Sequence, residues 1–377
     1  MGAVDNDFAT VSYDSNGVSR WETRHDSNSS DFACDMGLDA SGNVYVTGSS
    51  NSETGSDYVT MRYNTSGTLQ WVSHYTSEES GWAEVCAMAV DEAGNCFVLG
   101  SREIQFGSYI GFEYATVAYG PDGNQQWVAG YGGGLFCDPA DIALCGSDGI
   151  LAVGKVDGEA LEGMLTNFGT VLYDYSGVEQ WSSEYNGTAD WYDAASAVAV
   201  DASGNSYVTG YTGADETGPD FTTVRYDSSG NQIWVMNYGG PSDWDDAATA
   251  ITVDGSGNVY VTGRSFDPGT GYDFATIMYE QNTGIEGGDA SGGFTLRTSP
   301  NPATSWVSIS VILADPSVCS VLVYGLDGRV VRSLHEGCLP SGGSTLHLDA
   351  ASLPAGVYLI RADAGRHTET LRVLIMR

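Results

Sequence analysis

Two short patterns of alternating apolar and polar residues recur along the first three quarters of the chain. One begins with an acid and an aromatic residue and ends in tryptophan, as in "DFTTVRYDSSGNQIW" at 220–234. The other reads "DASGNSYVTG" at 201–210. Each joins two runs rich in Val, Thr, Tyr and Phe through a glycine-containing turn, which predicts a β-hairpin. Two hairpins per period predict a four-stranded unit.

The leading aromatic residue of the first pattern recurs at spacings of 50, 56, 54, 53 and 53 residues, from Phe8 to Phe274. Periods of this length are typical of solenoids and propellers. Apolar residues on both strand faces indicate sheets that are covered on both sides. We therefore predict an all-β propeller of four-stranded blades. Five blades are expected, with six as the alternative, and the N-terminal segment is expected to complete the last sheet, which lacks its Trp strand.

A change of pattern separates a second domain from the repeats. The glycine-rich segment "EQNTGIEGGDASGGFTLRT" at 280–298 predicts a linker between the repeats of 1–279 and the rest of the chain. Residues 299–377 contain six or seven short alternating runs, which predict a small immunoglobulin-like β-sandwich.

Charge is distributed very unevenly between the two parts. Residues 1–293 hold 43 Asp and Glu against 7 Lys and Arg, a net charge of −36, whereas residues 294–377 hold 6 against 7. Such acidity repels nucleic acid and anionic membrane surfaces. No apolar run approaches the ~20 residues of a membrane-spanning helix. "MGAVDNDFATVSY" enters the repeats directly, so no secretory signal is visible, which leaves a truncated N terminus open.

Seven cysteines are too sparse for a disulfide scaffold in a chain of this length. Cys34 and Cys86 occupy the same place in neighbouring repeats, and Cys319 and Cys338 lie on either side of a predicted hairpin. We expect buried free thiols, and a disulfide within either pair in an oxidising compartment is the alternative, which spacing alone does not decide.

The repeats resemble the bacterial β-propeller repeat family called SBBP. The resemblance rests on "A-x-A-V-D-x-x-G-N-x-Y-V-T-G" followed by "D-F-x-T-x-x-Y-x-x-x-G-x-x-x-W", and it implies the fold while saying little about activity. The third repeat departs from the pattern, because Cys145 replaces the turn Asp and "GILAV" replaces "NVYVT". We interpret it as a degenerate blade.

Residues 299–377 resemble the type A C-terminal sorting domain of type IX secretion substrates. The matching residues lie in "SPNP" at 299–302, "VYGLDGRVV" at 323–331 and "LPAGVYLIR" at 353–361, namely Pro300, Asn301, Pro302, Gly328, Arg329, Leu353, Pro354, Gly356 and Tyr358. Arg372 stands where the family usually has Lys. The resemblance implies recognition by the outer-membrane translocon, processing by a sortase, and a location in the extracellular space or on the outer-membrane surface.

The chain contains none of the GxSxG, HExxH or P-loop motifs of common enzymes. A loop before the first strand of each unit instead brings together an aromatic residue and an acid. The pairs are Phe32 with Asp31, Trp82 with Glu84, Phe136 with Asp138, Trp191 with Asp193, and Trp244 with Asp246. In the functional interpretation they form a binding face at the mouth of the propeller channel. In the structural interpretation the aromatic residues pack between blades and the acids bond loop backbone.

These observations predict a non-catalytic binding or structural module with a glycan or protein ligand. Aromatic rings stack on flat groups, and acids bind hydroxyl groups or cations. We expect no cofactor apart from weakly bound Ca²⁺. The alternative is an extracellular carbohydrate-active enzyme with its site at the channel mouth, which would need two carboxylates at a set separation.

Overall fold

A computed structural model describes residues 6–52, 55–77, 81–106, 108–158, 165–187, 189, 192–213, 218–240, 242, 244–280, 294–299, 303, 306–325, 328–365 and 367–375. The repeat region within these ranges consists of β1 (Phe8–Tyr13), β2 (Ser19–His25), β3 (Ser30–Leu38), β4 (Val44–Ser52), β5 (Gly55–Tyr63), β6 (Leu69–Tyr75), β7 (Ala83–Val90), β8 (Cys96–Phe106), β9 (Tyr109–Tyr119), β10 (Gln125–Gly134), β11 (Asp138–Leu144), β12 (Ile150–Asp157), β13 (Thr166–Tyr173), β14 (Glu179–Tyr185), β15 (Ala194–Val200), β16 (Ser206–Thr212), β17 (Asp220–Tyr226), β18 (Gln232–Tyr238), β19 (Ala247–Val253), β20 (Val259–Asp267) and β21 (Gly271–Tyr279).

These strands form consecutive antiparallel sheets. The sheets β3–β6, β7–β10, β11–β14 and β15–β18 each have four strands, and we number them blades 1 to 4. Strands β19–β21 form a three-stranded sheet, blade 5. The predicted all-β fold of four-stranded units is confirmed, and the degenerate third repeat forms a full sheet.

The N-terminal hairpin does not complete the last sheet, so that prediction is wrong for the described residues. Strand β1 pairs with β2 as a separate two-stranded sheet. Phe8 is buried in one cluster with Val44, Val59 and Met61 of blade 1. The hairpin therefore stands where the outer half of a preceding blade would stand, because it has the same apolar pattern as every other outer hairpin.

The repeated "D-x-x-G-N" letters build the turn between the first two strands of a blade. In blade 4, Oδ1 of Asp201 accepts the N–H groups of Ser203 and Asn205, and Oδ2 accepts the Asn205 side chain at 2.8 Å. Burial alone would raise the pKa of Asp201, yet the hydrogen bonds from Asn205 and Ser203 lower it overall. The same bonds recur around Asp254. The Asp thus fixes the turn by satisfying its backbone donors.

A second repeated contact holds neighbouring sheets together, and we call it the Trp–turn contact. The indole of one sheet lies over the turn glycine of the next, and its Nε1–H donates to a carbonyl oxygen of that turn. The four instances are Trp21 to Thr65 at 3.2 Å, Trp71 to Pro121 at 3.1 Å, Trp127 to Tyr175 at 3.0 Å, and Trp181 to Ser228 at 3.3 Å. The same indoles pack on Tyr63, Tyr119, Tyr173 and Tyr226 of the next sheet, with ring centroids 5.9–6.3 Å apart.

At the two ends of the row of sheets, aromatic residues whose equivalents are buried between neighbouring sheets are exposed to solvent. The leading aromatic residue is at most 1% exposed in the first five copies of the pattern, whereas Phe274 of blade 5 is 98% exposed. At the opposite end Tyr13 is 61% exposed, although its equivalents in the other copies are buried. Each terminal sheet therefore presents one half of the interface that the inner sheets share.

The C-terminal domain has two sheets around one core. Its strands are β22 (Phe294–Ser299), β23 (Trp306–Leu313), β24 (Ser317–Gly325), β25 (Val330–Leu339), β26 (Gly342–Asp349), β27 (Gly356–Ala364) and β28 (His367–Ile375). Sheet β22–β23–β26 and sheet β25–β24–β27–β28 both contribute to a cluster that includes Ile309, Val321 and Ile360. Strand β22 begins inside the segment that was expected to be a linker, because Leu296 is buried in this core. The sandwich is thus observed, and an immunoglobulin-like topology stays a prediction.

We predict that Gly123→Ala destabilises the protein more than Gly17→Ala. Both glycines have positive φ, +83° and +78°, so an alanine costs about 1 kcal/mol at either position. A Cβ at Gly123 would lie 2.7 Å from the Trp71 ring, whereas nothing lies within 4 Å at Gly17. The clash should lower the free energy of unfolding by about 1–3 kcal/mol more at Gly123. Urea denaturation measures the difference, and equal losses would show that the Trp–turn contact is loosely packed.

Candidate functional site

The first strand of each of the five blades contains a β-bulge at the same position, so the five strands can be aligned residue by residue. In each of them the ladder skips one residue opposite a glycine of the neighbouring strand. The residues before the bulge and their partner glycines are Ala33 with Gly48, Val85 with Gly100, Pro139 with Gly154, Ala195 with Gly210, and Ala248 with Gly263. Counting back from the bulge therefore shows which predicted site residues are structurally equivalent.

The acids are equivalent in only three of the five units. Asp31, Asp193 and Asp246 occupy the same position, two residues before the last residue ahead of the bulge. Glu84 and Asp138 lie one residue later, and alternate residues of a strand point to opposite faces. The predicted regular ring of acids is therefore not present as a five-fold set.

The three equivalent acids are buried and accept nearby backbone N–H groups. Asp193 accepts the N–H groups of Gly187 at 2.5 Å and Gly213 at 3.0 Å, which belong to two different loops. Asp31 accepts both the N–H and the hydroxyl group of Ser27. Asp246 accepts the Phe266 N–H at 3.1 Å. These contacts favour the structural interpretation of the acids.

Blade 3 obtains the same loop support from a residue that sequence reasoning missed. Cys137 occupies the position of the buried acid, and Asp157 at the end of β12 accepts the loop N–H groups instead. Its two carboxylate oxygens accept the N–H groups of Leu135 and Phe136, each at 2.7 Å. The signal in the sequence was the acid in "KVDG", three residues after Gly154, a place that Glu103 occupies in the second repeat and that non-acidic residues occupy in the others.

The two remaining predicted acids are accessible to solvent. Glu84 is exposed on β7. Asp138 is exposed and forms a salt bridge of 3.2 Å with Lys155. These carboxylates are therefore the ones that a ligand at this end of the blades can reach.

The aromatic residues of the predicted site that the structure describes are partly exposed to solvent. Phe32, Trp82, Phe136 and Trp244 are all exposed, and Trp191 lies outside the described residues. We call the end of the blades that carries these residues the loop end, to distinguish it from the opposite end with the glycine turns. Solvent therefore reaches each of these four rings, and the choice between the two interpretations of them stays a prediction.

Blade 5 extends this exposed surface into an aromatic patch formed by Trp244, Phe266 and Tyr272. The ring centroids of Trp244 and Phe266 are 5.6 Å apart, and those of Phe266 and Tyr272 are 5.1 Å apart. The guanidinium of Arg264 lies 5.2 Å from the Tyr272 ring, and Asp245 accepts the Tyr272 hydroxyl. The hydrogen bond to Asp245 raises the pKa of Tyr272. The sequence signal was "RSFDPGTGY", in which an aromatic residue stands on each side of a glycine-containing turn.

A groove of about 1220 Å³ opens at the opposite, turn end of the blades. Its aromatic lining includes Phe97, Trp127 and Tyr175. Trp127 and Tyr175 already form a Trp–turn contact, and Phe97 packs on both rings. We therefore assign this groove to packing between the blades and place the candidate site at the loop end.

We searched the described residues for groups that could bind a metal ion and for helices that could span a membrane. Within them no three His, Cys, Asp or Glu side chains are grouped so that they could hold a metal ion. Weak Ca²⁺ binding stays a prediction. The described part of the chain has no helix with the length and apolar character required to cross a membrane.

The sorting-motif residues that the structure describes support the sandwich. Leu353 and Tyr358 are buried in its core, and the Tyr358 hydroxyl donates to the carbonyl oxygen of Pro354 at 2.9 Å. Gly328 has positive φ in the hairpin turn before Arg329, and Gly356 begins β27. Pro300, Asn301 and Pro302 lie outside the described residues. The next residue, Ala303, is buried and donates its N–H to Leu374 of the terminal strand.

Comparison with known families matches two parts of the chain. Residues 299–376 match the secretion system C-terminal sorting domain, and residues 26–53 match a β-propeller repeat. The chain is thus a β-propeller repeat protein that carries a secretion sorting domain. More specifically, SBBP-type repeats precede a sorting domain of the type IX secretion system, and this domain marks the protein for the cell surface or the extracellular space.

Similar solved structures share the β-rich architecture at low identity. PorZ, a surface component of the type IX secretion system of Porphyromonas gingivalis, is 14% identical, with a TM-score of 0.33 and coverage of 92% of this chain and 51% of PorZ. The chain therefore spans about half the length of PorZ. A gluconolactonase from Xanthomonas campestris is 11% identical, with a TM-score of 0.37 and coverage of 66% of this chain and 73% of the gluconolactonase. An engineered GH43 glycoside hydrolase is 9% identical, with a TM-score of 0.34 and coverage of 92% of each chain. A search of curated proteins gave no match. At these scores the similarities carry no functional argument.

We predict that Asp193→Ala destabilises the protein and that Asp138→Ala does not. The first change leaves the N–H groups of Gly187 and Gly213 without their carboxylate acceptor, which should cost about 2–4 kcal/mol in the free energy of unfolding. The second removes an exposed ion pair, which should cost less than about 1 kcal/mol. Chemical denaturation measures both values. A stable Asp193→Ala protein would return this acid to the list of possible ligand-binding groups.

Proposed function

We propose that this protein is a non-catalytic binding module of the cell surface that contacts a glycan or protein ligand through the loop end of its propeller. The observation that carries the proposal is the aromatic patch of Trp244, Phe266 and Tyr272. Trp244 is 56% exposed and Tyr272 is 54% exposed, and each of these rings packs on Phe266. Exposed aromatic rings beside polar groups are typical of binding surfaces.

The surroundings of the patch supply polar groups for a ligand. Arg264 lies over Tyr272 and is within 3.5 Å of the Asp245 carboxylate. A sugar that stacks on the rings would meet both a donor and an acceptor at their edge. Phe32, Trp82 and Phe136 add further exposed rings at the loop end of other blades.

The state of the carboxylates supports binding without catalysis. A glycosidase needs two carboxyl groups about 5–10 Å apart, one of them with a raised pKa. Asp31, Asp193 and Asp246 are instead buried and accept nearby backbone N–H groups. Asp138 is paired with Lys155. We therefore propose that these acids stabilise the local backbone and form an ion pair.

The sorting domain adds the partners that are needed for export. We propose that the outer-membrane translocon binds the folded sandwich and that a sortase then processes it at the cell surface. The domain is suited to an independent role, because it has its own core and a near-neutral charge beside the strongly acidic repeats.

A binding screen with matched variants tests the ligand proposal. The full chain is presented to a glycan array, and affinities for the best glycan are measured for Trp244→Ala and Tyr272→Ala. We expect each change to weaken binding about 10-fold or more, because each removes a stacking ring. Trp306→Ala is the control, because Trp306 is equally exposed, at 56%, but lies on the sandwich. Absence of any glycan ligand, or an equal loss with Trp306→Ala, would count against the glycan form of the proposal.

Export is tested separately with the full chain behind an export signal in a bacterium that has a type IX system. Removing residues 371–377 should leave the protein in the periplasm, because β28 contributes Leu371, Val373 and Ile375 to the sandwich core. Arg372→Lys, which introduces the family's usual residue, should be exported normally. Surface labelling and cell fractionation measure the outcome. Normal export of the truncated chain would show that the folded sandwich is not the feature that is recognised.

A further inference from the structure

Cys34 and Cys86 meet across the boundary between blades 1 and 2. Each is the extra residue of its bulge, Cys34 in β3 and Cys86 in β7. The Sγ atom of Cys34 lies 2.8 Å from the carbonyl oxygen of Cys86, and Sγ of Cys86 lies 3.4 Å from that of Leu99. No side chain therefore needs to move away for the Cys34 thiol to reach the Cys86 residue.

The two strands are held together at this point by a second contact. Asp35 follows Cys34, and its Oδ2 accepts the Met88 N–H of β7 at 2.8 Å. This bond ties β3 to β7 immediately after the two cysteines. A disulfide requires two Cα atoms within about 7 Å of each other.

The remaining cysteines do not offer a comparable pair. Cys96, Cys137, Cys145 and Cys319 are buried. Cys319 pairs with Gly337 in the ladder and Cys338 pairs with Val318, so their side chains leave opposite faces of the sheet. This agrees with the burial of Cys319 and the exposure of Cys338. The second pair suggested by the sequence is therefore unsuited to a bridge.

We propose that Cys34 and Cys86 form a disulfide between blades 1 and 2 once the protein has left the cytoplasm. The sorting domain directs the chain to the surface or the extracellular space, where disulfides form and persist. The two thiols lose two protons and two electrons as the S–S bond forms. A low-molecular-weight disulfide such as oxidised glutathione takes up the electrons and is reduced to two thiols.

Bond formation requires the Cys86 sulfur to leave the Leu99 carbonyl oxygen, from which it lies 3.4 Å away. Burial, and then the carboxylates of Asp35 and Glu84, raise the pKa of the Cys34 thiol. Thiolate is therefore scarce at neutral pH, so an excess of oxidant is needed in vitro. The bridge would join two neighbouring sheets covalently and limit the freedom of the unfolded chain.

Peptide mapping of the full chain tests the proposal. After treatment with oxidised glutathione, mass spectrometry without reduction should find one peptide pair that joins Cys34 to Cys86 and lacks two hydrogen atoms. Reduction should then lower the apparent Tm by about 5 °C or more. Cys34→Ser and Cys86→Ser should each lose the linked peptide and the sensitivity of the Tm to reductant.

Cys338→Ser is the matched control, because this exposed cysteine lies on the sandwich and should leave both results unchanged. The map of the wild-type protein is informative even if a variant folds poorly. Full titration of all thiols after oxidation would overturn the proposal, as would a bridge that joins other cysteines. Neither result would affect the ligand proposal, which concerns the loop end.

Discussion

The contact between an indole and the turn of the next sheet is the interaction on which the propeller depends. A tryptophan can lie flat on the neighbouring turn only if that turn has a glycine there, since a Cβ would overlap the ring. Its N–H then satisfies a turn carbonyl group, and its face packs on a tyrosine of the next sheet. Aromatic pairs of this kind contribute about 0.5–1.5 kcal/mol beyond the area that they bury. The spacing of Trp, Gly and Tyr in the copies that keep the tryptophan follows from this one contact.

Rigidity at the turn end leaves the opposite end available for variation. The loops there are held by single buried acids, such as Asp193, which reaches backbone donors in two loops. Once one carboxylate has fixed the loop backbone, side chains at the loop tips are free to differ between blades. In blade 5 the loop side chains form the aromatic patch around Trp244. In blade 3 the acid is replaced by Cys137, and Asp157 binds the loop backbone instead. The candidate site is therefore irregular although the blades are regular.

The fold could be predicted from the sequence much better than the site could. The "D-x-x-G-N" turns and the alternating strands are local features, and they are decided by residues close together in the chain. The register of the acids is different, because it depends on a bulge that the letters do not reveal. Glu84 and Asp31 look alike beside their aromatic neighbours, yet a shift of one residue moves the carboxylate to the other face of the strand. Asp157 was missed for a different reason: it reaches its loop from another strand, so its position in the chain does not show the contact.

The exposed ends of the row of sheets have a consequence for how such a protein changes in size. Blades 1 to 4 each carry both sides of the same interface, a tryptophan for the following unit and a glycine turn for the preceding one. Interactions between nearest neighbours are sufficient to seat a unit, as in other repeat proteins. A duplicated stretch of the gene would thus bring a matching pair of surfaces with it, and the bare ring of Phe274 marks the place where the next copy would pack.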